Sequence, residues 1–542
     1  MYYFIVVLCG CFSRFVVCDT EPVYVDPSEI DGLESLYNNT NGTLWNWRYG
    51  LEYGPVWTFP PINSPCSQDV NGQWQGLECF CISNGNGYNC TVLGILLSGY
   101  NLRGNVPSQL ELLSNVVNLH LSNNYLFDTN LSFICGLSML QAVDISESQL
   151  FSYIPTCISA ASSLTYLDLS TNNMYGTLPS ELGQLVSVEI MYLYENMLTG
   201  SLPAEIGLLS SLESLNLAIN NFIGTLPSEL GQLVSVEQMF LYENMLTGSL
   251  PAEIGLLSSL VLLNLAINNF IGTLPSELGQ LVSVEQMYLY ENMLTSTLPS
   301  ELGQLVSIEI MYLNENMLTG SLPAEIGLLS SLVLLNLAIN NFIGTLPSEL
   351  GQLVSVEQMY LYENMLTSTL PSELGQLVSV EIMFLYENML TGTLPSELGQ
   401  LVSIEQMYLY DNMLTGSLPA EIGLLSSLVL LNLAINNFIG TLPSELGQLV
   451  SVEQMFLYEN MLTGTLPSEL GQFVSIEIMY LYDNMLTGSL PAEIGQLVSV
   501  EQMYLNDNML TGFLPTEIGL LSSLFTLALY ENMFSGTIPS AL

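Results

Sequence analysis

The chain has 542 residues, of which 49% are hydrophobic and only 10% charged, and 51 Asp and Glu against three Lys and Arg give it a formal net charge of -48. That balance excludes nucleic acid and anionic membrane surfaces as partners, because both require basic side chains to neutralise phosphate. A chain this long needs either several domains or one core built by repetition.

Mean hydropathy is +0.44, high enough to prompt a search for a membrane span. Only the N-terminus offers a candidate. Residues 2–17 are apolar but interrupted by Arg14, and too short to cross a bilayer. They read as a signal peptide over 1–18, with Val16-Val17-Cys18 before the cut. Nothing later in the chain is apolar for about 18 residues, so no membrane insertion is expected. Beyond that leader only Arg48 and Arg103 are basic, and there is no lysine.

Cysteines are confined to the N-terminal part. Cys9, Cys11 and Cys18 fall in the leader, leaving Cys66, Cys79, Cys81, Cys90, Cys135 and Cys157. An even number in a secreted chain suggests disulfides. Four Asn-x-Ser/Thr glycosylation sequons, at Asn38, Asn41, Asn89 and Asn130, fall in the same region. Both features predict an extracellular or cell-surface location.

From about residue 92 the chain is a repeat. Prolines from Pro179 to Pro539 recur every 24 residues without a slip, and Pro107 and Pro155 share the register, with Leu131 in the slot between them. This makes about nineteen units. In one of them Leu212, Leu215, Leu217 and Asn220 precede Pro227, giving the pattern LxxLxLxxN. The spacing predicts one short strand per unit, with Met191 and Leu193 pointing inward and Tyr192 and Tyr194 outward. Asn196 and its equivalents form a column of sixteen from Asn172 to Asn532, predicted to bond the backbone of stacked turns. Tyr100 and Ser148 break that column at its start. The stretch after each proline, SELGQL in many units, reads as a short helical turn.

The trailing GxLPxxLGxL resembles the plant-type leucine-rich repeat of receptor-kinase ectodomains and polygalacturonase inhibitors. Cys66, Trp74, Gly76, Leu77 and Cys79 resemble that family's N-terminal cap. The resemblance implies an α/β solenoid: a right-handed, curved superhelix with a parallel sheet on its concave face. Residues 19–91 would be the cap and 92–542 the array. In the cap Cys66–Cys79 and Cys81–Cys90 are the favoured pairings, although sequence does not fix connectivity. Cys135 and Cys157 lie in neighbouring units, placed to bridge adjacent turns. No polar cap closes the C-terminal end, where Phe525, Leu527 and Leu529 sit, so self-association through that end is an option.

Catalysis is not expected. One histidine, His120, and no lysine leave few parts for nucleophilic constellations. His120 reads as a surface residue on a strand. No phosphate loop or metal cluster appears, and no cofactor is expected.

The outward strand positions carry the candidate ligand site. Ten units supply Tyr192/Tyr194, Phe240/Tyr242, Tyr288/Tyr290, Tyr312/Asn314, Tyr360/Tyr362, Phe384/Tyr386, Tyr408/Tyr410, Phe456/Tyr458, Tyr480/Tyr482 and Tyr504/Asn506, with an acid following each pair. Five other units carry LLSSL…NLAINNFIG or a variant of it, four of them with Asn-Leu-Ala in place of Tyr-Leu-Tyr. An aromatic stripe on this face suits a protein or polysaccharide ligand. The alternative is that stacked Tyr only stabilises the sheet. Further Glu columns lie two after and fourteen before each proline, and read as a solvated acidic surface. Threonine rows such as Thr199/Ser201 raise an ice-binding alternative, and the abrupt stop at Leu542 raises that of a truncated receptor ectodomain. The main expectation is a secreted or cell-surface recognition protein that catalyses nothing.

Overall fold

The computed structural model describes residues 22–48, 53–61, 64–67, 73–127 and 129–540, so the expected leader lies outside the described residues. The chain forms two compact units, 1–150 and 151–542.

The first unit opens with β1 (Val23–Val25) and α1 (Pro27–Asn39). The helix starts here because Asp26 accepts from the Ser28 N–H at 2.8 Å and Pro27 fills the first helical position. It ends at Thr40, whose hydroxyl donates to the Leu36 carbonyl at 2.6 Å. Leu33 and Leu36 are fully buried, and Glu29 is buried with them. A buried carboxylate needs donors. Glu29 has two, the Thr91 hydroxyl and the Val92 N–H, the latter at 3.1 Å.

β2 (Leu77–Ser83) pairs antiparallel with β3 (Tyr88–Leu96), and β1 runs parallel to β3 on its other side. Disulfides Cys66–Cys79 and Cys81–Cys90 have formed as favoured. The second joins directly opposed residues of the hairpin. Cys135 and Cys157 are likewise disulfide-bonded rather than thiols. The tryptophans of the cap make an aromatic core: Trp57 lies 5.0 Å from Trp45 and 5.7 Å from Trp74. The Trp45 indole N–H donates to the Thr40 carbonyl and that of Trp57 to the Gln75 carbonyl.

β3 then pairs in parallel with β4 (Asn118–His120), which pairs with β5 (Ala142–Asp144). Ser148, where the Asn column breaks, takes over part of that role. It accepts from the Asn124 N–H at 3.4 Å and donates to the Leu121 carbonyl at 3.1 Å. His120 lies on the strand face with Nδ1 3.7 Å from the Asp144 carboxylate. Burial works to raise the Asp144 pKa, but hydrogen bonds from His120, Ser146 and Ser122 outweigh it and bring it to about 2.

The second unit is an α/β solenoid. One three-residue strand appears every 24 residues from Tyr166–Asp168 to Thr526–Ala528, sixteen in all, paired in parallel with an unbroken register. Leu215 lies opposite Met191 on one side and Met239 on the other. These inward columns are fully buried as far as Met503 and Leu505, and only half-buried at Leu527 and Leu529 in the last coil.

A second parallel sheet of sixteen strands, Tyr175–Gly176 to Met533–Phe534, was not anticipated. It uses the MLTG and NFIG segments. Their pattern is right for a strand, with Met197 and Thr199 exposed around a buried Leu198. At four residues or so it is too short to read as one. Asn221 pairs with Thr199, so each strand slips two residues against the 24-residue period.

After each proline the expected helical turn is a five-residue 3₁₀ helix, such as Ser180–Gln184. The glycine within it touches the next coil. A Cβ on Gly183 would meet the Glu205 carbonyl well inside 3.0 Å. Only glycine permits that spacing.

The Asn column holds coil to coil. Asn196 Nδ2 donates to the Leu169 carbonyl of the preceding coil at 3.0 Å, and to Leu193 and Tyr194 of its own at 3.1 Å. Its Oδ1 accepts from the Met174 N–H at 2.9 Å. The residue before each Asn has positive φ: Glu195 at 52° and even β-branched Ile219 at 53°. Such conformations cost about 1–2 kcal/mol per residue. They persist because the turn lets Glu195 and Asn196 donate N–H to the next coil, at Ala218 and Ile219.

Candidate binding face

All the aromatic residues anticipated as a ligand stripe, from Tyr192 to Tyr504, lie half-buried on the outer face of the main sheet. The structure brings them together as two ladders, one for each outward position. In the ladder of Tyr194 equivalents, Tyr362, Tyr386 and Tyr410 stack face to face at 4.5 Å, with interplanar angles of 10° and 9°. Tyr458 and Tyr482 repeat this at 4.6 Å and 7°. In the ladder of Tyr192 equivalents the rings meet mostly edge to face, as with Phe384 and Tyr408 at 4.4 Å. Glutamines of the same face orient several phenols: Tyr360 donates to Gln358 at 2.9 Å and Tyr480 to Gln502 at 2.6 Å.

The ladders are discontinuous. Coils of the Asn-Leu-Ala kind place Ala218, Ala266, Ala338 and Ala434 where a ring would stand. At Asn314 and Asn506 the ring is replaced by an amide instead. Around the first of these a hollow of about 540 Å³ opens, lined by Asn264, Tyr288, Tyr290, Glu291, Ile310, Tyr312, Asn314 and Glu315. The sequence shows both replacements, but the hollow depends on neighbouring coils and is not visible in one repeat.

Electrostatics follow from crowding. Burial raises the phenol pKa of Tyr242, Tyr290, Tyr362 and Tyr458, and neighbouring carboxylates add to it. Tyr410, with Glu387 beside it, and Tyr482, with Tyr458 and Glu459 beside it, are pushed up to about 12. Tyr386, between Tyr362 and Tyr410, is raised as well. A raised phenol favours the folded state below its unfolded pKa of about 10 and loses that contribution as pH climbs through the folded value. Ultraviolet titration of the native protein is thus expected to show a tyrosine class ionising near pH 12, replaced in denaturant by one class near pH 10. A single native transition near pH 10 contradicts the ladder geometry.

Residues 151–542 contain no Lys, Arg or His, so nothing in that unit neutralises the acids beside the rings. Among the described residues no group of three or more His, Cys, Asp or Glu is placed to hold a metal ion. No helix among them is long and apolar enough to cross a membrane. The sequon residues Asn38, Asn41, Asn89 and Asn130 are all exposed. One surface feature was missed from sequence. Met197 and its equivalents, at the start of the second-sheet strands, are exposed, 41% for Met197. Alternation within MLTG is the signal that would have found them.

The family model described as Leucine Rich Repeat matches residues 163–185 and 211–233. No curated protein sequence matches the chain significantly. Among solved structures, the plant peptide hormone receptor RGFR1 in complex with RGF2 is similar at a TM-score of 0.77 and 30% identity, over 81% of this chain and 71% of that one. The Arabidopsis receptor kinase HAESA, solved with the peptide hormone IDA and the co-receptor SERK1, is similar at a TM-score of 0.59 and 28% identity, over 86% of each chain. A leucine-rich-repeat protein of Leptospira interrogans is similar at 0.55 and 32%, over 79% of this chain and 93% of its own. With sixteen Asn-stitched coils, a disulfide-bonded N-terminal cap region and these likenesses, the chain belongs to the leucine-rich repeat family, in its plant-type extracellular form.

Proposed function

We propose that the protein is a non-catalytic recognition protein of the cell exterior, binding a protein or polysaccharide ligand on the tyrosine-bearing face of its main sheet. The observation that carries this reading is the pair of half-exposed aromatic ladders, with carboxylates beside them and no basic residue in the same unit. Half-exposed rings with polar tips bind by stacking and hydroxyl contacts at once. The structural relatives solved with peptide hormones favour a protein or peptide over a glycan. The acidity of the face favours a cationic one.

The test compares the natural chain with the triple variant Tyr362→Ala, Tyr386→Ala, Tyr410→Ala on peptide and glycan arrays. These three rings form the longest face-to-face run, and the expected result is loss of the ligands the natural chain retains. Equal binding by both sinks the reading. Likeness to receptor ectodomains favours a second reading, that the chain is the extracellular part of a receptor. The genomic reading frame beyond the codon for Leu542 tests it, and an immediate stop codon dismisses it.

A further inference from the structure

The ladder breaks at Asn314 and Asn506 share a chemical oddity. Asn314 is 9% exposed and Asn506 3%, and the Oδ1 of each is buried without a hydrogen-bond partner. Buried acceptors are rarely left so. The orientation of each amide is dictated locally. Asn314 Nδ2 donates to the Glu315 carboxylate at 3.3 Å, and Asn506 Nδ2 to the Asp507 carboxylate at 2.7 Å. Turning the amide over would set its oxygen against a carboxylate. The donor end is thus held by the acid, and the acceptor end, closed to solvent, is without a partner.

The space at Asn314 suits a flat group. Elsewhere in this column rings stack at 4.5 Å, so each position holds one planar layer. At Asn314 that layer is missing and the hollow of about 540 Å³ takes its place. Its walls are the rings of Tyr288, Tyr290 and Tyr312 and the carboxylates of Glu291 and Glu315. Tyr312 meets Tyr290 only edge-on, at 6.0 Å and 61°. Carboxylates and ring faces stand beside the Asn264 amide and the phenol hydroxyls in its lining, and no cation of this unit can fill the hollow. A guanidinium matches: it is planar, permanently charged, carries five donors and no acceptor, and stacks on aromatic faces.

We propose that the hollow at Asn314 is a socket for an arginine side chain of a peptide ligand, the guanidinium standing in for the missing ring. It donates to the Glu291 and Glu315 carboxylates, and to Asn314 Oδ1 once that side chain, closed to solvent at rest, turns toward the hollow. Asn506, with Asp507 beside it, repeats the donor requirement. This rests on the proposed binding face and names the side chain that face selects.

The test measures binding of a capped Gly-Arg-Gly peptide, its citrulline analogue and Gly-Lys-Gly at physiological ionic strength. Citrulline keeps the shape and loses the charge. The arginine peptide is expected to bind at least about tenfold more tightly than either. General attraction to an acidic surface also favours arginine over citrulline, so the deciding variant is Asn314→Tyr with Asn506→Tyr. It installs the residue most other coils of this kind carry, and is expected to keep its melting temperature while the arginine peptide's affinity falls by about tenfold. Unchanged affinity in that variant, or lysine binding as tightly as arginine, overturns the socket. The variant lacking Tyr362, Tyr386 and Tyr410 rings keeps the socket residues and is expected to retain arginine binding. Loss of array ligands in that variant, with no arginine preference in the natural chain, leaves the face and removes the socket. The reverse leaves the socket and removes the face.

Discussion

Asn340→Leu lowers the stability of the second unit by about 2–4 kcal/mol, the cost of leaving a buried N–H and a buried carbonyl unpaired. Asn340 sits in the middle of the array, 7% exposed. Its Oδ1 accepts from the Leu318 N–H at 2.9 Å, and its Nδ2 donates to Leu313 of the preceding coil at 3.0 Å and to Leu337 and Ala338 at 3.2 Å. Leucine fills the volume but offers none of these partners, and burial keeps solvent from replacing them. Asn532 makes the same four contacts in the last described coil, where it is only half-buried. Asn532→Leu is therefore expected to cost about 1 kcal/mol or less, because solvent replaces the lost bonds. Each coil touches only its neighbours, so the central change also weakens the coupling between two halves. Denaturant unfolding of Asn340→Leu is expected to broaden or split, and that of Asn532→Leu to stay single. Equal losses at the two sites contradict the coil-stitching role.

Gly351→Ala is expected to destabilise by about 3 kcal/mol, at the upper end for overpacking a well-filled interior. A Cβ at Gly351 falls well inside 3.0 Å of the Glu373 carbonyl, which is backbone and cannot swing aside. Two coils must move apart, and both sheets with them. Gly344, seven residues earlier, is a control with the opposite geometry. Its φ is +80° but its nearest neighbour to a new Cβ is 3.4 Å away. Conformational strain alone sets the cost of Gly344→Ala, about 1–2 kcal/mol. The chain itself shows that this slot accepts a Cβ: Ser296 and Ser368 occupy it at φ 76° and 78°. No unit from Pro179 on has anything but glycine at the Gly351 position. Thermal unfolding of both variants checks the ranking, and a larger loss for Gly344→Ala refutes it.

Much of this architecture is legible in the sequence because one unit repeats. Sixteen copies of Leu-x-Leu-x-x-Asn or Met-x-Leu-x-x-Asn average out local ambiguity, so strand, inward face and Asn column can all be read from letters. The second sheet was not readable. Its strands have only one or two inward residues, Leu198 or Phe222, and their pairing partners lie 22 rather than 24 residues away, against the visible period. The aromatic face was legible as a list but not as a surface. Ring stacking at 4.5 Å occurs only where two tyrosine coils adjoin, so it depends on the order of coil kinds. The same holds for the hollow at Asn314. A single Tyr-to-Asn change reads as drift until the orphaned oxygen and the walls from two coils are seen together.

The sameness of the coils bears on how the chain finds its register. Residues 243–307 recur without one change at 315–379, a displacement of three coils. A strand displaced by that distance meets the same leucines, the same asparagine bonds and the same glycine contacts as in the native stack. The contacts that hold neighbouring coils together therefore do not number them. A frame-shifted array with three coils looped out loses their interfaces, yet keeps every remaining interface satisfied. Such a state is a deep competitor during refolding, escaped only by unzipping from an end. Growth from the N-terminal end of the array during synthesis avoids it, since each new coil then finds a single free edge on which to dock.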